Sequence, residues 1–115
     1  MQNFCKLKDL YKLIQEIENS IQEAHGLSGN ECMTLCSLSK CCLSAGELSD
    51  LLSQSKSRMS KILAGLEKKN LIERSFDKVD KRKTQFILTS KGMEKAKEVE
   101  NSPVIIPDME IKLNG

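Results

Sequence analysis

The sequence has few of the residues and motifs from which enzymes build active sites. It contains one histidine, no glycine-rich phosphate loop, and no paired carboxylates at a helical spacing in an apolar setting. No apolar run approaches the roughly 20 residues that span a bilayer, and no apolar signal-peptide core follows Lys6 and Lys8. We therefore expect a cytoplasmic protein without a cofactor that is neither an enzyme nor a membrane protein.

The cysteines number five, and no secretory signal accompanies them. This odd count favours reduced thiols over a disulfide framework. Cys32 and Cys36 lie four residues apart, on one face of a helix, where they either present two thiols together or act as small apolar core residues. Cys41 and Cys42 lie in the next connection and are candidates for a redox switch. The spacing matches no zinc motif.

Positive charge is concentrated in one part of the chain. The net charge is only +2, but residues 55–83 hold ten Lys or Arg against four Asp or Glu, whereas residues 1–54 hold four against seven. A concentrated basic segment is the electrostatic footprint that binding of a polyanion requires. A solvated lysine-rich face without a partner is the alternative, and charge alone leaves both open.

Residues 4–25 are predicted to form a long amphipathic helix that ends at His25-Gly26, because apolar side chains recur at spacings of three and four. At 1.5 Å per residue, this seam of about 30 Å can pack on its own domain or on the same helix of a second subunit. Residues 28–39 are predicted to form a second helix. The apolar seam of the first helix consists of Leu7, Leu10, Ile14, Ile17, Ile21 and Ala24.

A capping box predicts the start of a third helix, because the Ser44 hydroxyl can accept from the backbone of Glu47 while the Glu47 side chain reaches back. This helix is expected to end near residues 53–54, and a fourth begins at Ser55 or Ser57 after a short turn. Two short helices joined in this way form a helix-turn-helix. The inward-facing residues of the third helix are expected to be Leu48, Leu51 and Leu52.

The fourth helix has an apolar side, formed by Met59, Ile62, Leu63 and Leu66. Its other side is polar, basic and narrow, as entry into a major groove about 12 Å wide requires. Gly65 on that side indicates that something approaches the backbone closely. Arginine and lysine can bond guanine edges or phosphates, and serine hydroxyls can position phosphates. The residues expected to contact DNA are Ser55, Lys56, Ser57, Arg58, Ser60 and Lys61.

Two strands are predicted at residues 72–76 and 85–88, where polar and apolar side chains alternate. The connection between them, residues 77–84, is too long and too charged for a tight hairpin and is typical of a wing. Its basic residues can follow the DNA backbone, and Arg82 can enter a narrow minor groove, where the negative potential is strongest. The wing residues expected to contact DNA are Lys81, Arg82 and Lys83.

The segments 55–74 and 80–92 together resemble the recognition helix and wing of MarR-type winged-helix transcription regulators. The resemblance rests on Asp-x-Arg at Asp80 and Arg82 and on the Leu-Thr-x-x-Gly motif that ends at Gly92. It implies that Asp80 holds the wing in shape and that Arg82 lies in the minor groove. It also implies a homodimer that binds pseudo-palindromic double-stranded DNA, in most members as a repressor released by a small-molecule effector or by oxidation.

The resulting fold class is mainly α with a small β wing: a winged helix-turn-helix with a long N-terminal helix and a C-terminal helix after the wing. We expect residues 1–101 to form one DNA-binding domain with a dimerisation helix at about 4–25, followed by a tail at 102–115. The last helix must stop by Ser102-Pro103, and the homodimer is expected to use both this helix and the N-terminal one. A winged helix that binds proteins, or a thiol-responsive regulator, is the alternative.

Overall fold

The computed structural model describes residues 4–76 and 84–102. The elements in order are α1 (Phe4–His25), α2 (Gly29–Leu38), α3 (Ala45–Leu51), α4 (Lys56–Lys68), β1 (Ile72–Phe76), β2 (Thr84–Leu88) and α5 (Ser90–Asn101). These elements confirm the predicted mainly α fold with a small two-stranded sheet. Residues 29–102 form one compact unit, called the head below, and residues 4–28 belong to a second unit. None of the helices in the described ranges has the length and apolar character needed to cross a membrane.

Side-chain caps begin three of the head's helices. The Ser44 hydroxyl accepts from the Glu47 backbone at 3.1 Å, and the Glu47 carboxylate accepts from the Ser44 backbone at 3.0 Å. Ser55 caps α4, and Thr89 caps α5 by accepting from the Gly92 backbone at 3.0 Å. Each such cap stabilises its helix by about 1 kcal/mol. The capping box predicted from the sequence is therefore confirmed.

Residues with positive φ end α1 and α4 and shape the turn between α3 and α4. Gly26 (φ +68°) follows α1, where the sequence predicted a helix end, and Asn70 (φ +62°) lies just after α4. Ser53 (φ +52°) lies in the α3–α4 turn, which the Gln54 N–H closes on the Ser49 carbonyl at 2.9 Å. The turn sets the angle between the two helices of the helix-turn-helix.

The core of the head lies where α2, α3 and α4 meet. Buried Thr34 satisfies its hydroxyl by donating to the Asn30 carbonyl at 2.7 Å. The prediction that Leu51 faces inward is wrong, because its side chain is 61% exposed. A helix turns by about 100° per residue, so Leu51 and Leu52 diverge to opposite sides of Leu48, and packing covers the Leu52 side. The most completely buried side chains are Leu35, Leu48, Met59, Leu66 and Thr34.

The strands β1 and β2 pair antiparallel, with Arg74 opposite Phe86. Leu43 adds a bridge to this sheet, because the Phe86 N–H donates to the Leu43 carbonyl at 2.7 Å and the Leu43 N–H donates back at 3.3 Å. Leu43 directly precedes Ser44, the cap of α3. The hairpin is thus hydrogen-bonded to the segment from which the helix-turn-helix begins.

Gly92 marks a close junction between the end of α4 and the start of α5. The Thr89 N–H donates to the Leu71 carbonyl at 3.1 Å, and the Thr89 hydroxyl donates to the Asn70 carbonyl at 2.6 Å. A Cβ atom at position 92 would overlap the Leu71 carbonyl oxygen. This contact explains why the Leu-Thr-x-x-Gly motif ends in glycine.

Candidate nucleic-acid interface

The predicted contact residues on α4 and its cap are all exposed to solvent. The opposite side of the helix is fixed in the core by Met59, Leu63 and Leu66, which are buried. An amphipathic helix held in this way must direct its polar side outward. The structure therefore brings together, at the N-terminal end of one helix, the exposed residues Ser55, Lys56, Ser57, Arg58, Ser60 and Lys61.

The cap of α4 adds a second feature to this end of the helix. The Ser55 hydroxyl accepts from the Arg58 backbone at 3.1 Å. The first N–H groups of a helix have no partner within the helix and carry its positive dipole end. The start of α4 therefore combines backbone donors with the exposed cations Lys56, Arg58 and Lys61, a combination suited to an anion such as phosphate.

The close approach expected at Gly65 is made by α2. A Cβ atom at this position would lie 3.3 Å from the Glu31 Oε2 atom. The Glu31 carboxylate is mostly buried and accepts from Lys69 Nζ at 3.1 and 3.2 Å. Gly65 is half-buried and lies at the edge of the polar side of α4, where α2 packs against it. Its lack of a side chain leaves room for the ion pair that joins α2 to the end of α4.

The base of the hairpin is joined to α4 by Arg74, a residue that the sequence did not identify as functional. Its Nε and Nη2 atoms donate to the two carboxylate oxygens of Glu67 at 3.2 and 3.3 Å. Its Cζ atom lies 5.7 Å from the centroid of the Phe86 ring. The available signal was the strand alternation, which placed Arg74 on the same face of β1 as the buried Ile72.

The predicted wing residues Asp80, Lys81, Arg82 and Lys83 lie outside the described residues. Their roles stay predictions. The strands that carry them are described, and Phe76 at the end of β1 is 63% exposed.

The cysteines differ in their accessibility. All five lie in the described part of the chain, and none forms a disulfide there. Cys32 is buried, whereas Cys41 and Cys42 are exposed. Burial raises the pKa of the half-buried Cys36 thiol, the charge of Glu100 adds to this shift, and Lys40 opposes it. Within residues 4–76 and 84–102, no three His, Cys, Asp or Glu side chains are placed to hold a metal ion.

The arrangement defines a class of protein. Helices α3 and α4 form a helix-turn-helix, α4 presents a basic side outward, and a β hairpin follows α4 in the chain. This is the winged-helix architecture of DNA-binding transcriptional regulators. A profile of the MarR family matches residues 25–83. The chain belongs to the MarR family.

Solved structures of MarR-type regulators are similar to this chain. AbsC, a MarR family transcriptional regulator from Streptomyces coelicolor, has 28% sequence identity and a TM-score of 0.74 over 84% of this chain and 66% of AbsC. The adhesin competence repressor AdcR from Streptococcus pyogenes has 27% identity and a TM-score of 0.70, over 83% and 68%. The S. aureus MepR–DNA complex shares the fold at 21% identity and a TM-score of 0.65, over 82% and 78%. No curated protein sequence matches the chain.

Proposed function

We propose that this MarR family protein is a transcriptional repressor that binds a pseudo-palindromic operator as a homodimer. The recognition helix, residues 55–69, enters the major groove, and the basic wing, residues 77–84, contacts the adjacent minor groove. In a homodimer, two copies of the head would read two half-sites about one helical turn of DNA apart. An effector that releases the protein from DNA is part of the same proposal.

The observation that carries this proposal is the orientation of α4. Its apolar side is buried, and its cations Lys56, Arg58 and Lys61 are exposed at the end where backbone donors also collect. Arginine and lysine on an exposed helix can bond both guanine edges and phosphates. The structurally similar MepR has been crystallised with DNA, which supports the same use of the fold here.

An apolar stripe on α1 supports the homodimer. Large apolar side chains recur there at spacings of three and four and are exposed: Phe4, Leu7, Leu10, Tyr11 and Ile14. Contiguous apolar surface of this kind typically marks a protein–protein interface. We propose that α1 packs on the equivalent helix of a second subunit and that α5, where Met93 is also exposed, contributes to the same dimer.

The experiment is selection of bound duplexes from a random pool, followed by affinity measurement at several salt concentrations. We expect an enriched sequence with two-fold symmetry. Binding that uses six to ten phosphate contacts should weaken by roughly 10³–10⁵-fold between 50 and 200 mM salt. No enrichment, together with a monomeric protein, would refute the repressor and favour a protein-interaction module. Enrichment of an asymmetric site bound by one subunit would refute the homodimer alone.

Substitution of the wing arginine tests the minor-groove contact on the selected operator. Arg82→Ala should weaken binding by about 1–3 kcal/mol with no change in thermal unfolding. Arg82→Lys is the matched control, because it keeps the charge and removes the planar guanidinium. Equal affinity of the wild type and Arg82→Ala would show that the wing does not engage the groove.

A further inference from the structure

The contact between Glu67 and Arg74 joins the recognition helix to the wing hairpin. Glu67 lies in the last two turns of α4, and Arg74 lies in the middle of β1. Both carboxylate oxygens accept from the guanidinium, at 3.2 and 3.3 Å. A two-point contact of this kind fixes the direction of approach as well as the distance between its partners.

The pair lies beside a cleft between α4 and the hairpin. The base of the hairpin is packed, because Ile72 is buried beside the end of α4. Farther along β1, an open groove of about 260 Å³ lies between the two elements, lined by Ser60 and Ala64 on the helix and by Thr84 on β2. Glu67 and Arg74 also line this groove. The ion pair between Glu67 and Arg74 therefore joins the helix to the strand at the edge of this groove.

The arginine is supported from the sheet side as well. Its guanidinium lies 5.7 Å from the centre of the buried Phe86 ring, within the range of a cation–π contact. Phe86 is itself held by the two backbone hydrogen bonds to Leu43. The guanidinium is thus held between a carboxylate on α4 and a ring that is hydrogen-bonded to the segment before α3.

We propose that Glu67 and Arg74 are positioning residues that set the separation between the recognition helix and the wing during DNA binding. The inference rests on the proposed function. The side chains of Arg74 and Glu67 are 59% and 30% exposed, so the pair contributes little to the stability of the head. Its effect is on geometry, because a shifted hairpin would no longer reach its groove while α4 occupies the neighbouring one.

Two substitutions, each of which neutralises one partner of the ion pair, distinguish a positioning role from a direct effect of the charge on DNA binding. If the pair positions the wing, Glu67→Gln and Arg74→Gln should each weaken operator binding, by about 3- to 10-fold. If only the local charge matters, the two should act in opposite directions, because removing a carboxylate near DNA strengthens binding and removing a guanidinium weakens it. Glu73→Gln is the matched control, because Glu73 neighbours Arg74 in sequence, is exposed and lies on the other face of β1.

Footprinting and a charge swap complete the test. In both neutralised variants, minor-groove protection from hydroxyl radicals should be lost, while major-groove protection by α4 should persist. The double variant Glu67→Arg with Arg74→Glu should recover most of the lost affinity. Thermal unfolding should match the wild type throughout, which separates positioning from loss of fold.

The outcomes distinguish this inference from the function on which it rests. A wild-type protein that binds no duplex would overturn both. A wild-type protein that binds its operator, together with tighter binding by Glu67→Gln or unchanged minor-groove protection in both variants, would overturn the positioning role alone.

Discussion

Helices α1 and α4 have similar apolar patterns, but the apolar side of α4 is buried and that of α1 is largely exposed. On α4, residues at helical spacing are buried, and Met59 and Leu66 are completely covered. On α1, the same spacing leaves Leu7, Leu10 and Ile14 exposed, and Leu13 is its one buried residue. Amphipathic periodicity therefore predicts that a helix needs an apolar partner, and it does not say whether that partner lies in the same chain.

The two helices belong to different compact units of the chain. Within the head, α4 packs on α2 and α3, and this packing covers its apolar face. The exposed stripe on α1 leaves a place for a second subunit, as the proposed homodimer requires. Substitutions in the two helices should therefore act through different equilibria.

The largest effect should come from the core of the head. Leu66→Ala removes a fully buried side chain and should lower the free energy of unfolding by about 2–5 kcal/mol. The measurement is urea unfolding of the purified chain, at protein concentrations that span at least two orders of magnitude. The loss should be present at every concentration, because the contact is made within one chain.

Leu10→Ala on α1 is the matched truncation of a residue of the same type. Its effect should be small in dilute protein and should grow with concentration, because a homodimer adds stability by mass action. Sedimentation of the same variant should show a weaker dimer than the wild type. A large loss of unfolding free energy for Leu10→Ala at every protein concentration would show that Leu10 packs within its own chain and would contradict the assignment of α1 as the dimer helix.

The sequence predicted the parts of this fold that depend on local chemistry. The capping box of Ser44 and Glu47 and the end of α1 at Gly26 each involve residues within a few positions of one another. The exposure of the polar side of α4 followed from its periodicity. These features need only helix geometry and backbone conformational preference.

The features that the sequence did not predict depend on contacts between distant residues. The Leu43–Phe86 bridge pairs residues 43 positions apart, and the Glu31–Lys69 pair joins two helices. The contact of Arg74 with the Phe86 ring depends on the register of β1 with β2, which no local pattern supplies. The DNA contacts themselves stay predictions, because they depend on docking geometry and, for the wing, on residues outside those described.

Alanine substitution of two glycines, Gly92 in the head and Gly26 after α1, should lower stability by smaller amounts and for different reasons. Gly92→Ala should lower stability by about 1–3 kcal/mol, because the added methyl overlaps the Leu71 carbonyl. Gly26→Ala meets no neighbouring atom and should cost about 1–2 kcal/mol, because alanine disfavours positive φ.

Asparagine substitutions in the same unfolding assay distinguish steric overlap from backbone strain, because asparagine tolerates positive φ. Gly26→Asn should recover much of the stability lost in Gly26→Ala, whereas Gly92→Asn should be at least as unstable as Gly92→Ala. Recovery by asparagine at position 92 would mean that the α4–α5 junction is looser than the structure shows.

The cysteines allow a test that needs no substitution, because the alkylation rate of each thiol reports its accessibility. Exposed Cys5 on α1 and exposed Cys41 and Cys42 in the head should react first with iodoacetamide, and buried Cys32 last. Cys36 should react slowly at neutral pH, because burial raises its pKa and so lowers the fraction present as thiolate, the reactive form. Its rate should rise as the pH increases towards that raised pKa, which mass spectrometry of the alkylated peptides measures.

The same thiols decide whether DNA binding responds to oxidation. Cys41 and Cys42 immediately precede Leu43, whose backbone is hydrogen-bonded to β2, so a change there would act on the segment that joins the hairpin to the helix-turn-helix. If they form a redox switch, diamide should lower operator affinity, and Cys41→Ser with Cys42→Ser should abolish the response while Cys5→Ser leaves it intact. Wild-type affinity that is unchanged by diamide, in protein whose exposed thiols have been consumed, would show that these cysteines are accessible and without a regulatory role.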